Sequence, residues 1–554
     1  MSKIIFLCWL FVGVLSIRQS CLHAQEQDVF IENHEIIING KPFYPVGVNY
    51  IVRPVFVDSI RWSFTPGITY CPDTIGYISC GNDSMRRVHF YQDMLAIKRK
   101  GFNSIRLAGL GVKKSSNSSS LQFNYKRLKR GKWPRRTYTF QSSDDYTGFL
   151  DMVEDVVQLI DSAGLKVLFI TGGHQVDEEM TRKRYGEYLN HVASRLDKYD
   201  NVYAYDLINE PAFFSYKKNY QKCEIKKMVA DWVKEMGTSK LTTIGLFGLF
   251  DIWQWDPAIL DVDFIGLHTY PYMNKSNGYS YDKAINMVSK TLKWYSENVD
   301  KPWLIGETSF PGSNYHNSEL QDIGDESQQL NYANYLINAL GSYGGLGFYW
   351  WQFSEVFWWD FTVGPKARNN VYGIRYSTVN NVPDSLQFTW KSAAEVLPRF
   401  RPYIGESTYL DDSTYYNLSR NIYGDYKGVI LDSNQKVIKG AFIKGTWAIN
   451  QKTHMSNTTF SRMDGSFNLN APCKKCELIG LHVTALGMAN VQLKKEEIKK
   501  KESLSIVLYP VGDSCDNLNV NPDLDEQFFL FERQNFLFFL FPLLILLVWI
   551  YRKY

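Results

Sequence analysis

The pattern of apolar and polar residues differs between the two main regions of the chain. Between Val29 and about Gly405, short apolar stretches alternate with amphipathic stretches of helical period, such as residues 146–163. This alternation is typical of βαβ units and a parallel sheet. The apolar stretches predict eight strands, at residues 43–49, 104–107, 166–170, 202–208, 242–247, 264–268, 303–306 and 347–351. Eight strand–helix units predict an α/β fold, a (β/α)8 TIM barrel over residues 29–405.

Two further features of this region bear on the barrel. Ahead of the first barrel strand, residues 29–38 and 43–46 flank Asn39-Gly40, which favours a hairpin turn. We expect that hairpin to plug the bottom of the barrel. Residues 50–85 and 108–144 read as long loops after the first and second strands, on the face where barrel enzymes carry their chemistry.

After about Gly405 the pattern changes to short strands separated by turns. Strands are predicted at residues 428–431, 441–443, 466–469, 481–485 and 504–508. They indicate a small β-sandwich over residues 424–510. Several short runs in it resemble the carboxypeptidase regulatory-like fold, which implies a structural or spacer role: Gly428-Val429-Ile430-Leu431-Asp432, Gly440-Ala441, Asp464-Gly465-Ser466-Phe467 and Ala485-Leu486-Gly487.

Both ends of the chain carry apolar segments. Residues 1–24 have a basic start, an apolar run and a small-residue cleavage site, which together predict a signal peptide and export. Residues 536–551 are apolar and precede a basic tail, which predicts a membrane anchor, although the run is short for a span and contains Pro542. An interfacial or buried helix and a removable sorting signal are the alternatives. We therefore expect a periplasmic or cell-surface protein, anchored to the membrane.

Composition narrows the possible partners. The chain has 554 residues and a formal net charge of only +4, so no global field predicts nucleic-acid binding. Aromatic residues make up 15%, which supports sugar-stacking surfaces as well as a bulky core. Trp253 and Trp255, in the loop after the fifth strand, are candidates for such surfaces. The cysteines that remain after export fall into three sets: Cys71 with Cys80, Cys473 with Cys476, and the unmatched Cys223 and Cys515. A lone CxxC predicts no zinc site.

Two carboxylates stand directly after apolar strands. Glu210 ends the fourth strand within Ile208-Asn209-Glu210-Pro211, and Glu307 ends the seventh within Ile305-Gly306-Glu307-Thr308. A glutamate at the end of one strand is usually a salt-bridge partner. Two of them at the same rim are the pair that glycosidic bond cleavage requires, one to donate a proton and one to attack the anomeric carbon. We predict that Glu210 is the acid/base and Glu307 the nucleophile.

Asn209-Glu210-Pro211 together with Gly306-Glu307 resembles glycoside hydrolase family 5, among the retaining barrel glycosidases, over residues 29–405. The resemblance implies that Arg106 supports the ionised nucleophile and that Asn209 binds the sugar 2-hydroxyl. It also places His174 after the third strand, and His268 and Tyr270 around the nucleophile. Either Trp350 or Trp351 would be the sugar platform. The alternatives are a core salt bridge for Arg106, packing for Tyr270 and a loop-capping role for His174.

The sequence thus predicts an O-glycosyl hydrolase that cleaves a β-linked oligo- or polysaccharide by double displacement. A β-mannan or β-glucan and an endo mode are favoured, and neither a cofactor nor a metal is implied. Three alternatives remain open: an exo-β-glycosidase of the same clan, a remodelling transglycosylase, and a catalytically silent carbohydrate-binding protein.

Overall fold

The computed structural model describes residues 29–57, 61–66, 83–115, 120–127, 135–142, 145–172, 179–211, 221–249, 251–271, 281–312, 325–354, 372–375, 389–403, 415–416, 423–449, 453–498 and 503–512. The chain divides into two compact units. The first comprises Met1–Glu210, Val229–Gly248 and Asp261–Leu410, and the second Pro211–Met228, Leu249–Leu260 and Asp411–Tyr554.

In chain order the elements are β1 (Val29–Glu32), β2 (Glu35–Ile38), β3 (Lys41–Pro42), β4 (Val46–Val57), β5 (Arg61–Pro66), α1 (Asp83–Lys100), β6 (Ser104–Ala108), β7 (Lys113–Lys114), β8 (Leu121–Arg127), β9 (Arg135–Thr139), α2 (Asp145–Ser162), β10 (Lys166–Ile170), α3 (Glu179–Leu196), β11 (Val202–Asn209), α4 (Lys222–Met236), β12 (Leu241–Phe247), β13 (Ile265–His268), α5 (Tyr281–Asn298), β14 (Trp303–Thr308), α6 (Glu326–Ser342), β15 (Phe348–Trp350) and α7 (Ala393–Val396). They continue with β16 (Tyr423–Asp432), β17 (Phe442–Ile449), β18 (Thr453–Phe460), β19 (Ser466–Ala471), β20 (Glu477–Thr484), β21 (Val491–Lys494), α8 (Lys495–Ile498) and β22 (Leu504–Leu508).

The first unit is built on a closed barrel of eight parallel strands. Their order is β4-β6-β10-β11-β12-β13-β14-β15, and β15 pairs with β4 to close the ring. Each of the eight predicted strands is present, so the (β/α)8 prediction is confirmed. The prediction succeeds because strands enclosed on both faces are continuous apolar runs. In β10, for example, Val167–Ile170 is a continuous apolar run, and all four residues are buried.

The predicted amphipathic helices are also present. Helix α2 ends just before Gly164, whose φ of 70° is left-handed and suits a helix C-terminus. Helix α5 follows β13 and leads to β14. Helix α6 begins after Asp325, whose side chain accepts a hydrogen bond from the Gln328 backbone N–H at 2.7 Å.

A three-stranded antiparallel sheet, β1-β2-β3, lies under the barrel. Asn33 and His34 both adopt positive φ and form a turn that was not predicted, so residues 29–38 form two strands, β1 and β2. Asn39-Gly40 forms the predicted second turn, also at positive φ. Val29, Ile36 and Ile38 pack against residues near the starts of the barrel strands, among them Leu168, Tyr203, Leu241 and Leu304. The hairpin therefore plugs the bottom of the barrel, as predicted.

Within the described residues, the two predicted long loops are largely strand. β4 runs on beyond the barrel to Val57, and its outer half pairs with β5 and β8, while β8 also pairs with β7 and β9. Trp62 on β5 lies among aromatic rings, 4.7 Å from Phe56, 4.9 Å from Phe123 and 5.0 Å from Tyr138. Much of the aromatic surplus in this part of the chain is therefore core packing.

The second unit contains the predicted sandwich. One sheet has the order β19-β16-β22 and the other β18-β17-β20-β21. The five predicted strands are present, while β18 and β21 were not predicted. The two sheets enclose an apolar core that includes Ile430, Trp447 and Phe467.

Two segments from between barrel strands belong to this second unit. In the segment Leu249–Leu260, Trp255 is 1% exposed, and the Trp253 ring lies 5.6 Å from that of Phe442. These contacts are packing contacts, which goes against a sugar-stacking role for either tryptophan. Lys222 forms a buried ion pair with Asp256 at 2.7 Å.

The described cysteines are oxidised. Cys473 and Cys476 form a disulfide, and Cys223 is also disulfide-bonded. Within the described ranges, no helix has the length and apolar character needed to cross a membrane. The predicted signal peptide (residues 1–24), the predicted anchor (residues 536–551) and Cys71, Cys80 and Cys515 lie outside those ranges.

Candidate active site

The carboxyl ends of the barrel strands bring the two predicted catalytic glutamates together. Glu210 follows β11, and Glu307 is the fifth residue of β14. A carboxylate oxygen of each and a ring nitrogen of His268 all lie within 4.8 Å of one another. Glu210 is 8% exposed and Glu307 5% exposed, so both carboxyl groups are largely shielded from water.

Glu307 is held by two donors. Its Oε1 accepts a hydrogen bond from Arg106 at 2.5 Å, and its Oε2 accepts one from the Tyr270 hydroxyl at 2.6 Å. Burial raises the pKa of the Glu307 carboxyl, while the Arg106 charge and the Tyr270 hydrogen bond oppose that rise. The two donors therefore stabilise the ionised carboxylate and fix its orientation.

Glu210 adopts an unusual backbone conformation. Its φ of 46° lies in the left-handed region, which is uncommon for a residue other than glycine. The Glu210 backbone N–H donates to the Gly245 carbonyl at 2.8 Å, which stabilises the turn out of β11. Such strain is concentrated at functional sites, where a side chain must be aimed in one direction.

His268 lies beside Glu210 at the end of β13. Its Nδ1 is 2.9 Å from Glu210 Oε1 and 3.8 Å from Glu307 Oε2. Burial, aided by the Arg106 charge, lowers the pKa of His268 well below its usual value. The low pKa favours the neutral imidazole, and His268 Nδ1 shares with Glu210 Oε1 a hydrogen bond whose donor depends on the tautomer.

Arg106 connects the residues of the site. Its guanidinium donates to Glu307, to Asp206 at 2.6 and 3.2 Å, to Asn49 at 2.9 Å and to Asn209 at 2.7 Å. All five N–H donors of the side chain are thereby used. Burial acts to lower the pKa of Arg106, but the Asp206 and Glu307 carboxylates raise it overall, so the side chain stays charged.

Asp206 and Asn49 are site residues that the sequence analysis did not single out. Both precede the strand ends: Asp206 lies four residues before Glu210, and Asn49 lies within β4. Their polarity could have identified them in the sequence, because each is a polar residue inside an otherwise apolar strand. A polar side chain within a buried strand needs a partner. Here that partner is Arg106.

The structure separates the two candidate tryptophans. Trp350 is fully buried, donates its indole N–H to the Tyr372 carbonyl at 3.0 Å and lies against Tyr332 of α6. Trp351 is half-buried and packs against Ile51, Ala108 and Ile170. Of the two candidates that the sequence left open, Trp350 is thus enclosed by packing. Trp351 follows the end of β15 and rests on residues at the carboxyl ends of β6 and β10.

His174, the remaining predicted residue, lies outside the described residues. Glu210, His268 and Glu307 also offer ligand atoms of the types that metal ions bind. The positively charged Arg106, bonded to Glu307, opposes a second cation there, and His268 Nδ1 is engaged with Glu210. The arrangement fits proton transfer and nucleophilic attack better than it fits metal binding.

Comparisons with known proteins find likeness in structure alone. The β-glucuronidase from Ruminococcus gnavus matches with a TM-score of 0.43 at 15% identity, over 67% of this chain and 52% of that enzyme. The β-D-glucuronidase from Dictyoglomus thermophilum matches with a TM-score of 0.42 at 16% identity, over the same shares. This chain spans about half the length of these enzymes. No model of a protein family matches the chain, and no curated protein matches its sequence.

Proposed function

We propose that the chain is a retaining β-glycosidase, with Glu307 as nucleophile and Glu210 as acid/base. The approach of the two carboxyl groups to within 4.8 Å carries this proposal. Retaining enzymes hold their carboxyl groups about 5–5.5 Å apart, whereas inverting enzymes need about 6.5–9.5 Å to admit a water molecule. The motifs that resemble family 5 support a β-mannan or β-glucan as the substrate class.

The first step uses the asymmetry between the two carboxyl groups. Glu307, ionised beside Arg106, attacks the anomeric carbon and forms an ester with the sugar. The glycosidic C–O bond breaks, and its electron pair stays on the leaving oxygen. That oxygen takes a proton from Glu210, whose Oε1 is held by His268, so the transferable proton lies on Oε2.

The second step releases the sugar with retained configuration. Glu210, now ionised, takes a proton from a water molecule, whose oxygen attacks the anomeric carbon. The bond to Glu307 breaks, and its carboxylate returns to the Arg106 and Tyr270 hydrogen bonds. Asn209 accepts from Arg106 at 2.7 Å, which fixes its amide for a bond to the sugar 2-hydroxyl.

Reducing-sugar release from a panel of β-mannans and β-glucans tests the substrate class. The wild type is compared with Glu307→Ala and Glu210→Ala, and both substitutions should lower kcat at least about 10³-fold. Retained binding of one glycan by all three proteins, without release from any glycan, would instead support a catalytically silent carbohydrate-binding protein.

An aryl glycoside with a good leaving group separates the two roles, because its cleavage needs little acid assistance. Added azide should restore turnover of Glu210→Ala and give a glycosyl azide of retained configuration, since azide needs no base to attack the intermediate. With Glu307→Ala, azide should instead replace the nucleophile and give the inverted product. The reverse assignment of products would contradict the proposed roles.

Export and a membrane anchor remain predictions, from residues 1–24 and 536–551. Fractionation of cells that express the full chain would test both predictions. Activity in the cytosolic fraction alone would contradict export.

A further inference from the structure

A buried ion pair lies near the site and takes no part in the proposed chemistry. Arg375 Nη2 is 3.0 Å from Asp93 Oδ1, and each residue is 2% exposed. The other Asp93 oxygen accepts a hydrogen bond from the Tyr50 hydroxyl at 2.6 Å. A buried charge that loses its partner is strongly destabilising, so these groups act as a unit.

Arg375 reaches from this pair to the residues that follow β15. Its Nε donates to the Ser354 hydroxyl at 2.9 Å. Its guanidinium carbon lies 4.0 Å from the centroid of the Phe353 ring, a cation–π arrangement. Both contacted residues are 1% exposed, so the contacts form in a site from which water is excluded.

These contacts fix the segment that carries Trp351. The Trp351 backbone N–H donates to the Thr308 carbonyl at 2.7 Å, and the Phe353 N–H donates to the Asn49 carbonyl at 3.2 Å. The segment thus leaves the barrel between β14 and β4. The path of this segment after Trp351 therefore depends on the contacts that Arg375 makes with Phe353 and Ser354.

Asp93, the acidic member of the ion pair, is connected to Trp351 through β4. Tyr50 and Ile51 are neighbours on β4; Tyr50 bonds to Asp93, and Ile51 packs against the Trp351 ring. The Tyr50 ring also lies 5.5 Å from that of Phe353. Asp93 and Arg375 therefore brace both the backbone that carries Trp351 and the surface on which its ring rests.

We propose that Asp93 and Arg375 are positioning residues that hold Trp351 as the sugar platform. The proposal rests on the proposed glycosidase function and adds to it a determinant outside the reacting groups. A displacement of about 1 Å far from the reacting atoms can cost about 100-fold in rate. The effect of Asp93 on catalysis is thus exerted through Trp351.

A double-mutant cycle tests this coupling. Asp93→Asn should lower kcat/KM about 10- to 100-fold, chiefly through kcat, and Trp351→Phe should produce a loss of similar size. If Asp93 acts through Trp351, the double variant will be no worse than Trp351→Phe alone. Losses that multiply in the double variant would overturn the proposal.

Two milder variants keep the test open if Asp93→Asn does not fold. Ser354→Ala removes the Arg375 contact without exposing a buried charge, and Arg375→Lys keeps the charge but loses the bond to Ser354. Each should lower kcat about 3- to 10-fold. Wild-type kcat in both would overturn the proposal.

Arg86→Gln is the matched control. Arg86 lies on helix α1, as Asp93 does, and is also 2% exposed. It forms an ion pair with Asp83, and its Nε donates to the Phe64 carbonyl at 3.0 Å. This variant should lower stability yet leave kcat within about 2-fold of the wild type below the unfolding temperature. A drop in kcat equal to that of Asp93→Asn would show that any buried ion pair matters and would overturn the proposal.

Iodide quenching gives a readout that does not need activity. The emission of Trp351 is the part of the tryptophan fluorescence that Trp351→Phe removes. Iodide should quench this emission more strongly in Asp93→Asn than in the wild type, and no more strongly in Arg86→Gln. Unchanged quenching would overturn the positioning role. If the wild type cleaves no glycan yet this quenching change occurs, the proposed glycosidase function fails and the positioning of Trp351 stands.

Discussion

Arg106 divides one positive charge between two buried carboxylates, Asp206 and Glu307. Burial raises the pKa of Asp206, and the Arg106 charge opposes that rise, as it does for Glu307. The Asp206 charge itself also contributes to the raised pKa of Glu307. Asp206 therefore sets how readily the proposed nucleophile ionises, although it is not placed to touch the sugar.

Asp206→Asn tests this electrostatic role. Removal of the negative charge should lower the pKa of Glu307, so the acid limb of the kcat/KM–pH profile should move to lower pH. The kcat/KM at the optimum should fall about 10- to 100-fold, because Arg106 loses a partner that fixes its orientation. Asp151→Asn, at an exposed helix position, is the control and should move neither quantity. An acid limb that stays in place or rises would contradict the assignment.

At the scale of the strands, the site depends on room around His268. The ring projects from β13 between glycines of the two flanking strands. A Cβ added at Gly245 on β12 would lie 2.7 Å from His268 Nε2, and one at Gly306 on β14 would lie 2.8 Å from the same atom. These positions require glycine because a side chain would occupy the volume of the imidazole.

Gly306→Ala should therefore push His268 out of line with Glu210. We expect a loss of about 1–3 kcal/mol of unfolding free energy from overpacking, with a drop in kcat of at least about 10-fold. Gly480→Ala in β20 is the matched control, since the nearest atoms to its added Cβ would be 3.8 Å away. Urea unfolding and steady-state kinetics give the two quantities. Equal losses of stability and kcat in the two variants would contradict the claim that Gly306 makes room for His268.

At the scale of the whole molecule, the barrel separates stability from chemistry. The β1-β2-β3 sheet packs at the starts of the barrel strands, whereas the glutamates lie at their carboxyl ends. This division is general among barrel enzymes, in which one face carries the reacting groups and the other supports the fold.

Ile36→Ala should reduce stability while sparing catalysis. Ile36 is fully buried in the plug, so its truncation should cost about 2–5 kcal/mol in unfolding free energy. The kcat/KM of the folded variant, measured well below its unfolding temperature, should match the wild type. Val437→Ala, at a position 43% exposed, is the control and should change stability by no more than about 0.5 kcal/mol. A loss of kcat/KM in folded Ile36→Ala would contradict this separation.

Some parts of the fold escaped prediction for identifiable reasons. β18 and β21 are the two edge strands of their sheet. β18 carries mainly polar residues and β21 has only four residues that alternate between apolar and polar, so both lack the apolar run that predicted β22. Asn33 and His34 form a further turn, within residues 29–38, that was not predicted. In each case the residues involved form no clear apolar pattern, so the element was not predicted.

The barrel and the positions of Glu210 and Glu307 at its strand ends could be predicted from the apolar pattern of the chain. Strands buried on both faces are mainly apolar, so a polar residue at the end of such a strand stands out. The folded barrel was needed to see that Arg106 pairs with Asp206 as well as with Glu307, and that Trp350 is enclosed while Trp351 is half-buried. Those outcomes depend on which strands become neighbours and on which face each side chain takes when the barrel closes. Neither the neighbouring strands nor the face that a side chain takes can be predicted from a short stretch of sequence.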